Sequence, residues 1–253
     1  MPPTLTLYGY GKMALAIAKG LSDRFPLEIT GRNPQKIEEL IALHGLNASP
    51  LFLRDSPLDI TDRHLLLCVK PYALGELSFS GEAKGVYSIL AGVSIERLRE
   101  KIPAQSYIRA MPNMAASLGS SCTALCGDES LKILASEIFA PLGTSLWLDK
   151  ESKIDAATAL AGSGPAYLAL MAEALMDAGV REGLSREESK ALTQGLFSGF
   201  ADLLKDRHPA LIKEEVTSPG GTTAEALALL ESKGLRGILI EAVHTALLKA
   251  KKL

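Results

Sequence analysis

Leu5-Thr6-Leu7-Tyr8-Gly9-Tyr10-Gly11-Lys12-Met13-Ala14 is the stretch that decides the fold. Four strand-forming residues run into Gly9-x-Gly11-x-x-Ala14, and helix-period apolar residues follow at Leu15, Ala16, Ile17, Ala18 and Leu21. A strand turning through two glycines into a helix is the dinucleotide fingerprint in its G-x-G-x-x-A form. Gly9 permits the sharp turn, Gly11 lets a pyrophosphate approach the backbone, and Ala14 keeps helix and sheet close. A second strand, Leu27-Glu28-Ile29-Thr30, leads to Gly31-Arg32-Asn33 and then to Pro34, which opens a helix through Leu43. This βαβ unit predicts a parallel sheet with helices on both faces.

The alternation continues downstream. His64 to Val69 reads as a buried strand stopping at Lys70-Pro71; Val86 to Leu90 stops at Ala91-Gly92; Ser106 to Ala110 stops at Met111-Pro112-Asn113. Strands ending in loops of this kind form the ligand edge of an open α/β sheet. After Leu146-Trp147-Leu148 the character changes, and 151–160, 165–178, 185–205, 222–232 and 235–251 all read as Ala- and Leu-rich helices. Ser185 and Glu188 have capping-box spacing, and Gly179 and Gly234 stand where C-terminal caps belong. The expected fold class is therefore α/β: a Rossmann-type doubly wound sheet over 1–150, followed by an all-α domain over 151–253.

The chain has 253 residues, 47% of them hydrophobic and 22% charged, with a net charge of −2. Its mean hydropathy of +0.16 is high for a soluble monomer and suggests apolar surface buried between subunits. Without a basic run beyond Lys249, Lys251 and Lys252, a nucleic-acid partner is not expected. Three sparse cysteines, Cys68, Cys122 and Cys126, argue for a reducing compartment and against a disulfide framework. Cys122-x-x-x-Cys126 has no second ligand pair, so no metal site is expected. Met1-Pro2-Pro3 runs directly into strand-like residues without a signal peptide, and no uninterrupted apolar run approaches the ~20 residues of a membrane helix. The expected location is the cytoplasm, with no membrane partner.

The candidate cofactor contacts are Gly9, Tyr10, Gly11, Lys12 and Met13 in the first loop, with Val69, Lys70, Pro71, Ala91 and Asn113 at later strand ends. NAD binders usually end the second strand with Asp or Glu, which holds the ribose hydroxyls. Here Gly31 stands there and Arg32 follows, an exchange of carboxylate for guanidinium that suits a 2′-phosphate and favours NADP. The bland alternatives are a solvated loop cation at Arg32 and a surface lysine at Lys70. Glu28 lies inside the strand and is a poor substitute for the missing acid.

Val216-Thr217-Ser218-Pro219-Gly220-Gly221-Thr222-Thr223-Ala224-Glu225 is the second informative stretch. Thr222 and Glu225 have capping-box spacing, predicting a helix that starts at Thr222. Two glycines before that start leave several N–H groups open to an anion, beside the Thr223 hydroxyl. An ordinary capped turn would have the same local pattern. The helical half offers only His208 and His244 as histidines, and His244 falls mid-helix where packing is the simpler role. The site is short of acid–base groups and rich in backbone donors.

Together with Arg109 to Asn113, Val69-Lys70-Pro71, Ala161 to Tyr167 and the early glycine loop, the Ser218 to Thr223 element makes the chain closely resemble the pyrroline-5-carboxylate reductase family. The resemblance covers nearly the whole chain in order. It implies NAD(P)H-dependent reduction of 1-pyrroline-5-carboxylate to L-proline, and a helical domain that pairs subunits into a homodimer or larger homo-oligomer. It further implies that Ser218 and the N–H groups around Gly220, Gly221 and Thr222 hold the substrate carboxylate. Thr223 would orient the ring nitrogen as the catalytic hydroxyl. The family usually has Asn at Lys12, Gly at Ala14 and Thr-Pro at Met114-Ala115. These departures bear on cofactor affinity and on the loop after Asn113. Two other readings have their own signatures: a β-hydroxyacid dehydrogenase would use a lysine such as Lys153, and a sensor that had lost turnover would not need the Ser218 turn.

Overall fold

The computed structural model describes residues 2–53 and 57–252, so Met1 and Leu253, the outer limits of the two expected domains, lie outside the described residues. Ten strands are described: β1 Leu5–Tyr8, β2 Leu27–Thr30, β3 Ser49–Pro50, β4 Leu58–Asp59, β5 His64–Leu67, β6 Phe79–Ser80, β7 Gly85–Ser88, β8 Tyr107–Met111, β9 Ser121–Gly127 and β10 Gly143–Trp147. Eight of them form one sheet in the order β10-β9-β8-β7-β5-β1-β2-β3, and β4 pairs with β6 apart from it. All neighbours in the large sheet are parallel except β8 and β9. The chain reverses direction across the sheet at β1, whose neighbours are β2 and β5, so a crevice opens where the flanking loops diverge.

The first unit owes its stability to burial on both faces of this sheet. Leu5, Leu7, Ile29 and Leu66 point into a core shared with Ile17 and Leu21 of α1 (Lys12–Leu21), Ile37 of α2 (Pro34–His44) and Phe139 of α4 (Lys132–Phe139). Their strand neighbours Tyr8, Leu65 and Leu67 face the opposite core with Leu98 of α3 (Ile95–Lys101). Each fully buried leucine contributes about 1.5–3 kcal/mol. The helices begin as the sequence requires: Asn33 accepts from Lys36 N at α2, with Pro34 first in the helix, and Ser94 accepts from Arg97 N at α3.

All five expected strands appear, β1 and β2 with the expected bounds and β5, β7 and β8 with ends that differ by one or two residues. β9 had no sequence expectation; its small and polar residues, Ser121, Thr123 and Cys126 among them, lack the apolar signature of a central strand, yet most are buried. Arg109 of β8 is a buried charged residue within this layer. It is 5% exposed and reaches Glu151 at 3.0 Å and Asp155 at 3.1 Å, on α5 (Ser152–Ala157) and the residue before it. Glu151 also accepts from Ile95 N at 2.8 Å, so one carboxylate joins β8, α3 and α5. A π-helical turn, Thr158–Gly162, continues α5.

By packing, residues through Ser163 cluster with those from Ala246 on, and Gly164–Thr245 forms a second unit. The second unit is helical: α6 Gly164–Arg181, α7 Arg186–Leu203, α8 Pro209–Glu215, α9 Thr222–Ser232 and most of α10 Leu235–Ala250. The expected Ser185–Glu188 capping box is formed at α7, and Gly234 ends α9 at φ +73°. Gly179 is a correction. It does not end its helix, which runs on to Arg181; a Cβ there would collide with Ser189 Oγ, which donates to Met176 O at 2.7 Å. The glycine lets α6 and α7 approach closely, a demand invisible to local pattern.

A second correction concerns helix length. Helical backbone is continuous over Ser152–Arg181, 30 residues with a window of mean hydropathy 1.2, which by length and composition suffices to cross a membrane. Gly162, Gly164 and Pro165 interrupt the apolar run in sequence; in the structure the π turn ends at Gly162, Ser163 is a bend, and α6 opens with Gly164 and Pro165 in its first turn. In the second unit α6 and α9 have no buried residue, and Leu168, Leu170, Leu192, Leu196 and Leu229 are exposed.

Replacing Arg109 strands two carboxylates that keep partial access to water. Arg109→Ala is expected to lower unfolding free energy by about 2–3 kcal/mol, less than the full buried-pair loss. A denaturant titration followed by circular dichroism checks this, and a change within about 0.5 kcal/mol, typical of an unconstrained surface site, would refute the bridging role.

Candidate active site

The ends of β1, β2, β5, β7 and β8 surround a cleft of about 850 Å³ within the first unit. Gly9 has φ +132°, and a Cβ on it would lie 2.6 Å from the Cys68 carbonyl oxygen. Only glycine makes that turn between the two central strands. At Gly11 a Cβ would meet nothing of this chain within 4 Å, so the space above it belongs to the cleft. Gly11 caps α1 without a side-chain hydrogen bond, and the first turn has no acidic residue. Open N–H groups and the positive end of the helix dipole therefore face the cleft, the arrangement that holds a pyrophosphate. These features fit a dinucleotide.

Nearly every expected cofactor contact lines this cleft: Gly9, Tyr10, Gly11, Lys12, Met13, Arg32, Val69, Lys70, Pro71 and Ala91. Asn113 does not. It turns away to accept from Ala115 N at 3.0 Å, capping the short 3-10 turn Met114–Leu118, and the cleft is walled instead by Met111 and Pro112. Sequence reasoning also missed Tyr8, Gly31, Lys36, Tyr72 and Glu76. Glu76 ends a 3-10 turn, Pro71–Glu76, and nothing in its local pattern marks it. Among the described lining residues the cations are Lys12, Arg32, Lys36 and Lys70, and the one acid is Glu76, whose Oε2 lies 3.0 Å from Arg32 Nη1.

Gly31 closes the second strand for a steric reason. A Cβ there would come within 2.8 Å of the Tyr10 ring, so an acidic side chain at this point would displace that ring. Glu28 is occupied elsewhere, accepting from Arg63 and, at 3.2 Å, from Thr6 Oγ1. The cleft offers no acid–base catalyst from its buried groups. Burial pushes the Cys68 thiol up and also raises Tyr8, which the nearby Arg32 partly offsets, so both stay protonated at neutral pH. No group of His, Cys, Asp and Glu suited to a metal occurs among the described residues. Cys126 is buried and Cys122 exposed.

In the second unit Gly221 N donates to Ser218 O at 3.0 Å, closing a turn with Pro219 and with Gly220 at φ +66°. These are the places a type II turn gives to proline and glycine. α9 does begin at Thr222, but the predicted capping box is absent: Gly221 is the N-cap, and no side chain bonds the free N–H groups. A Cβ on Gly221 would strike Ser218 Oγ, so the glycine lets that hydroxyl lie against the helix start. Ser218, Gly220 and Thr222 are exposed and Thr223 is half-buried. An uncapped helix N-terminus flanked by two hydroxyls can accept a carboxylate. His208 caps α8 by accepting from Ala210 N at 3.2 Å, His244 is exposed on α10 rather than packed, and Lys153 pairs with Asp149 at 2.5 Å on the surface.

The family described as pyrroline-5-carboxylate reductase dimerisation matches residues 151–253. A pyrroline-5-carboxylate reductase of Helicobacter pylori is 39% identical over 254 residues, covering 98% of this chain and 98% of its own. The crystal structure of a 1-pyrroline-5-carboxylate reductase of Streptococcus pyogenes superposes with a TM-score of 0.84 at 30% identity, over 99% of this chain and 98% of that one. A Plasmodium falciparum pyrroline carboxylate reductase with NADP bound gives 0.80 at 26% identity, over 99% and 97%.

The two glycines of the loop should respond differently to a methyl group. Gly11→Ala is expected to leave the thermal midpoint unchanged and to weaken nicotinamide-cofactor binding in a fluorescence titration by about tenfold, near the 1.4 kcal/mol of a lost pyrophosphate hydrogen bond. Gly9→Ala is expected to lower the thermal midpoint itself. Equal behaviour of the two variants would show that the loop is not divided in this way.

Proposed function

Because this chain belongs to the pyrroline-5-carboxylate reductase family, we propose that its two halves divide one reaction between them. The reaction is the NAD(P)H-dependent reduction of 1-pyrroline-5-carboxylate to L-proline, the last step of proline biosynthesis. Residues 1–150 hold the cofactor; residues 151–253 hold the substrate and pair two copies of the chain. The observation that carries the substrate assignment is the uncapped start of α9 behind the Ser218–Gly221 turn.

The substrate is a cyclic imine bearing a carboxylate. Ser218 Oγ and the N–H groups of Gly220 and Thr222 hold that carboxylate; Gly221, expected to donate as well, spends its N–H on Ser218 O in the turn and contributes close approach instead. The helix dipole adds about 0.3–1 kcal/mol. Thr223 Oγ1 meets the ring nitrogen, one turn residue further on. A threonine hydroxyl is too weak an acid to protonate the imine outright; it orients the C=N bond and polarises it by a hydrogen bond. A bound nicotinamide would supply the hydride to the imine carbon, and the proton that the ring nitrogen takes up in balance would come from water. The rate gain from these residues is positioning and electrostatic stabilisation rather than proton transfer, in keeping with a cofactor cleft poor in acid–base groups.

On the cofactor side, Gly9 to Met13 cradle the pyrophosphate, and Val69, Lys70, Pro71 and Ala91 line the path toward the nicotinamide. Arg32 engages the adenosine 2′-phosphate, which favours NADPH over NADH; Lys36 in the same cleft adds a second cation. The apolar exposed faces of α6 and α9 support a homodimer formed through the helical half, since contiguous apolar surface of this extent is usually covered in oligomers. That pairing is also the reading we adopt for the long apolar helix, in preference to a membrane, with the enzyme working in the cytoplasm.

The direct test is oxidation of NADPH and NADH by the purified protein with and without 1-pyrroline-5-carboxylate, with proline measured as product. Substrate-dependent oxidation yielding proline is expected; cofactor binding without turnover would favour a sensor. Thr223→Ala is expected to lower kcat by about 100-fold, as for a lost transition-state hydrogen-bond donor, with NADPH affinity within about twofold of the parent. Equal losses in both would remove Thr223 from the chemistry. Arg32→Ala is expected to raise the KM for NADPH about tenfold, the loss of one charge-assisted phosphate contact, and to leave that for NADH nearly alone. A parallel effect on both cofactors would refute the 2′-phosphate contact.

A further inference from the structure

We propose that Glu76 is a second determinant of cofactor choice, supplying from the turn after β5 the carboxylate that the end of β2 lacks. The inference rests on the reading that Arg32 meets the 2′-phosphate. It starts from two independent observations. First, the usual place for a ribose-binding acid is closed here, because the Tyr10 ring occupies the space into which a side chain at Gly31 would grow. Second, the one carboxylate among the described residues lining the cleft lies against Arg32, with Glu76 Oε2 and Arg32 Nη1 3.0 Å apart.

The pair is weak by itself. Both side chains are more than half exposed, 67% for Arg32 and 57% for Glu76, so water screens their attraction and either group is free to exchange partners. Such a pair serves poorly as a structural tie and well as a replaceable contact. With NADPH, the 2′-phosphate takes Arg32, and Glu76 is left as an acid beside a dianion, which opposes binding. With NADH, Glu76 leaves Arg32 and accepts from the ribose 2′- and 3′-hydroxyls without needing its help. One carboxylate therefore disfavours the phosphorylated cofactor and favours the other. Lys36, the neighbouring cation in the cleft, pulls in the opposite direction.

The test is equilibrium binding of NADPH and NADH to the full-length protein, with Glu76→Gln and Arg32→Ala beside the parent. Adenosine 2′,5′-bisphosphate and AMP serve as competitors that isolate the adenosine end. Glu76→Gln keeps the shape and removes the charge. It is expected to tighten NADPH and adenosine 2′,5′-bisphosphate about two- to fivefold, the range of one exposed charge pair, and to weaken NADH and AMP by a similar factor. Its thermal midpoint should match the parent, as befits an exposed pair. Movement of both cofactors in the same direction, or no movement, would overturn the proposal. If Glu76→Gln is neutral while Arg32→Ala still weakens NADPH selectively, the role of Glu76 fails and the phosphate contact stands. If Arg32→Ala leaves NADPH binding unchanged, the phosphate contact fails and the proposal falls with it.

Discussion

How closely Gly9 lies against the Cys68 carbonyl sets the geometry on which the rest of the ligand edge depends. β1 and β5 are adjacent and parallel, and the chain leaving β1 must turn at once without striking the end of β5. At φ +132° and without a Cβ it does so, and α1 starts within three residues of the strand. Ala14, 1% exposed, then packs α1 directly on the sheet. A bulkier turn would push α1 outward and carry its free N–H groups away from the cleft. The loops after β2, β5, β7 and β8 converge on the same edge because parallel strands all end there.

Charge around this edge is distributed unevenly: among the described lining residues there are cations after three strands and a single acid. A cleft of this kind selects for anionic ligands before any specific contact forms. The pair between Arg32 and Glu76 is exposed, so it adds little to stability and leaves both groups open to a ligand. Arg109 is the contrasting case. Buried among its two carboxylates, it is committed to joining β8 to the helix that follows the sheet and has no freedom to exchange.

The helical half follows a different logic. Its helices are apolar but leave much of that surface exposed on the single chain, while polar groups such as Ser189 and Thr193 are the buried ones on α7. Local satisfaction is nonetheless complete where it matters: the Ser185–Glu188 box, the Arg186–Asp177 pair at 2.6 Å and the Ser189 hydrogen bond fix α7 against α6. The start of α9 has no side-chain cap, as at α1, whereas α2, α3, α7 and α8 are capped by side chains.

The sequence by itself determined the fold class, the central strands, the glycine turn and the start of α9, because each rests on local rules: period, turn chemistry and the special conformations of glycine and proline. It also carried the family resemblance that the comparisons bear out. Only the tertiary structure decided what Gly31 and Gly179 are for, since each yields space to a side chain distant in sequence, Tyr10 or Ser189. It alone turned Asn113 away from the cleft, buried the polar strand β9 and brought Glu76 to Arg32 across forty-odd residues of chain. Those outcomes depend on which surfaces meet when the sheet closes, and no residue carries that information in its immediate neighbours.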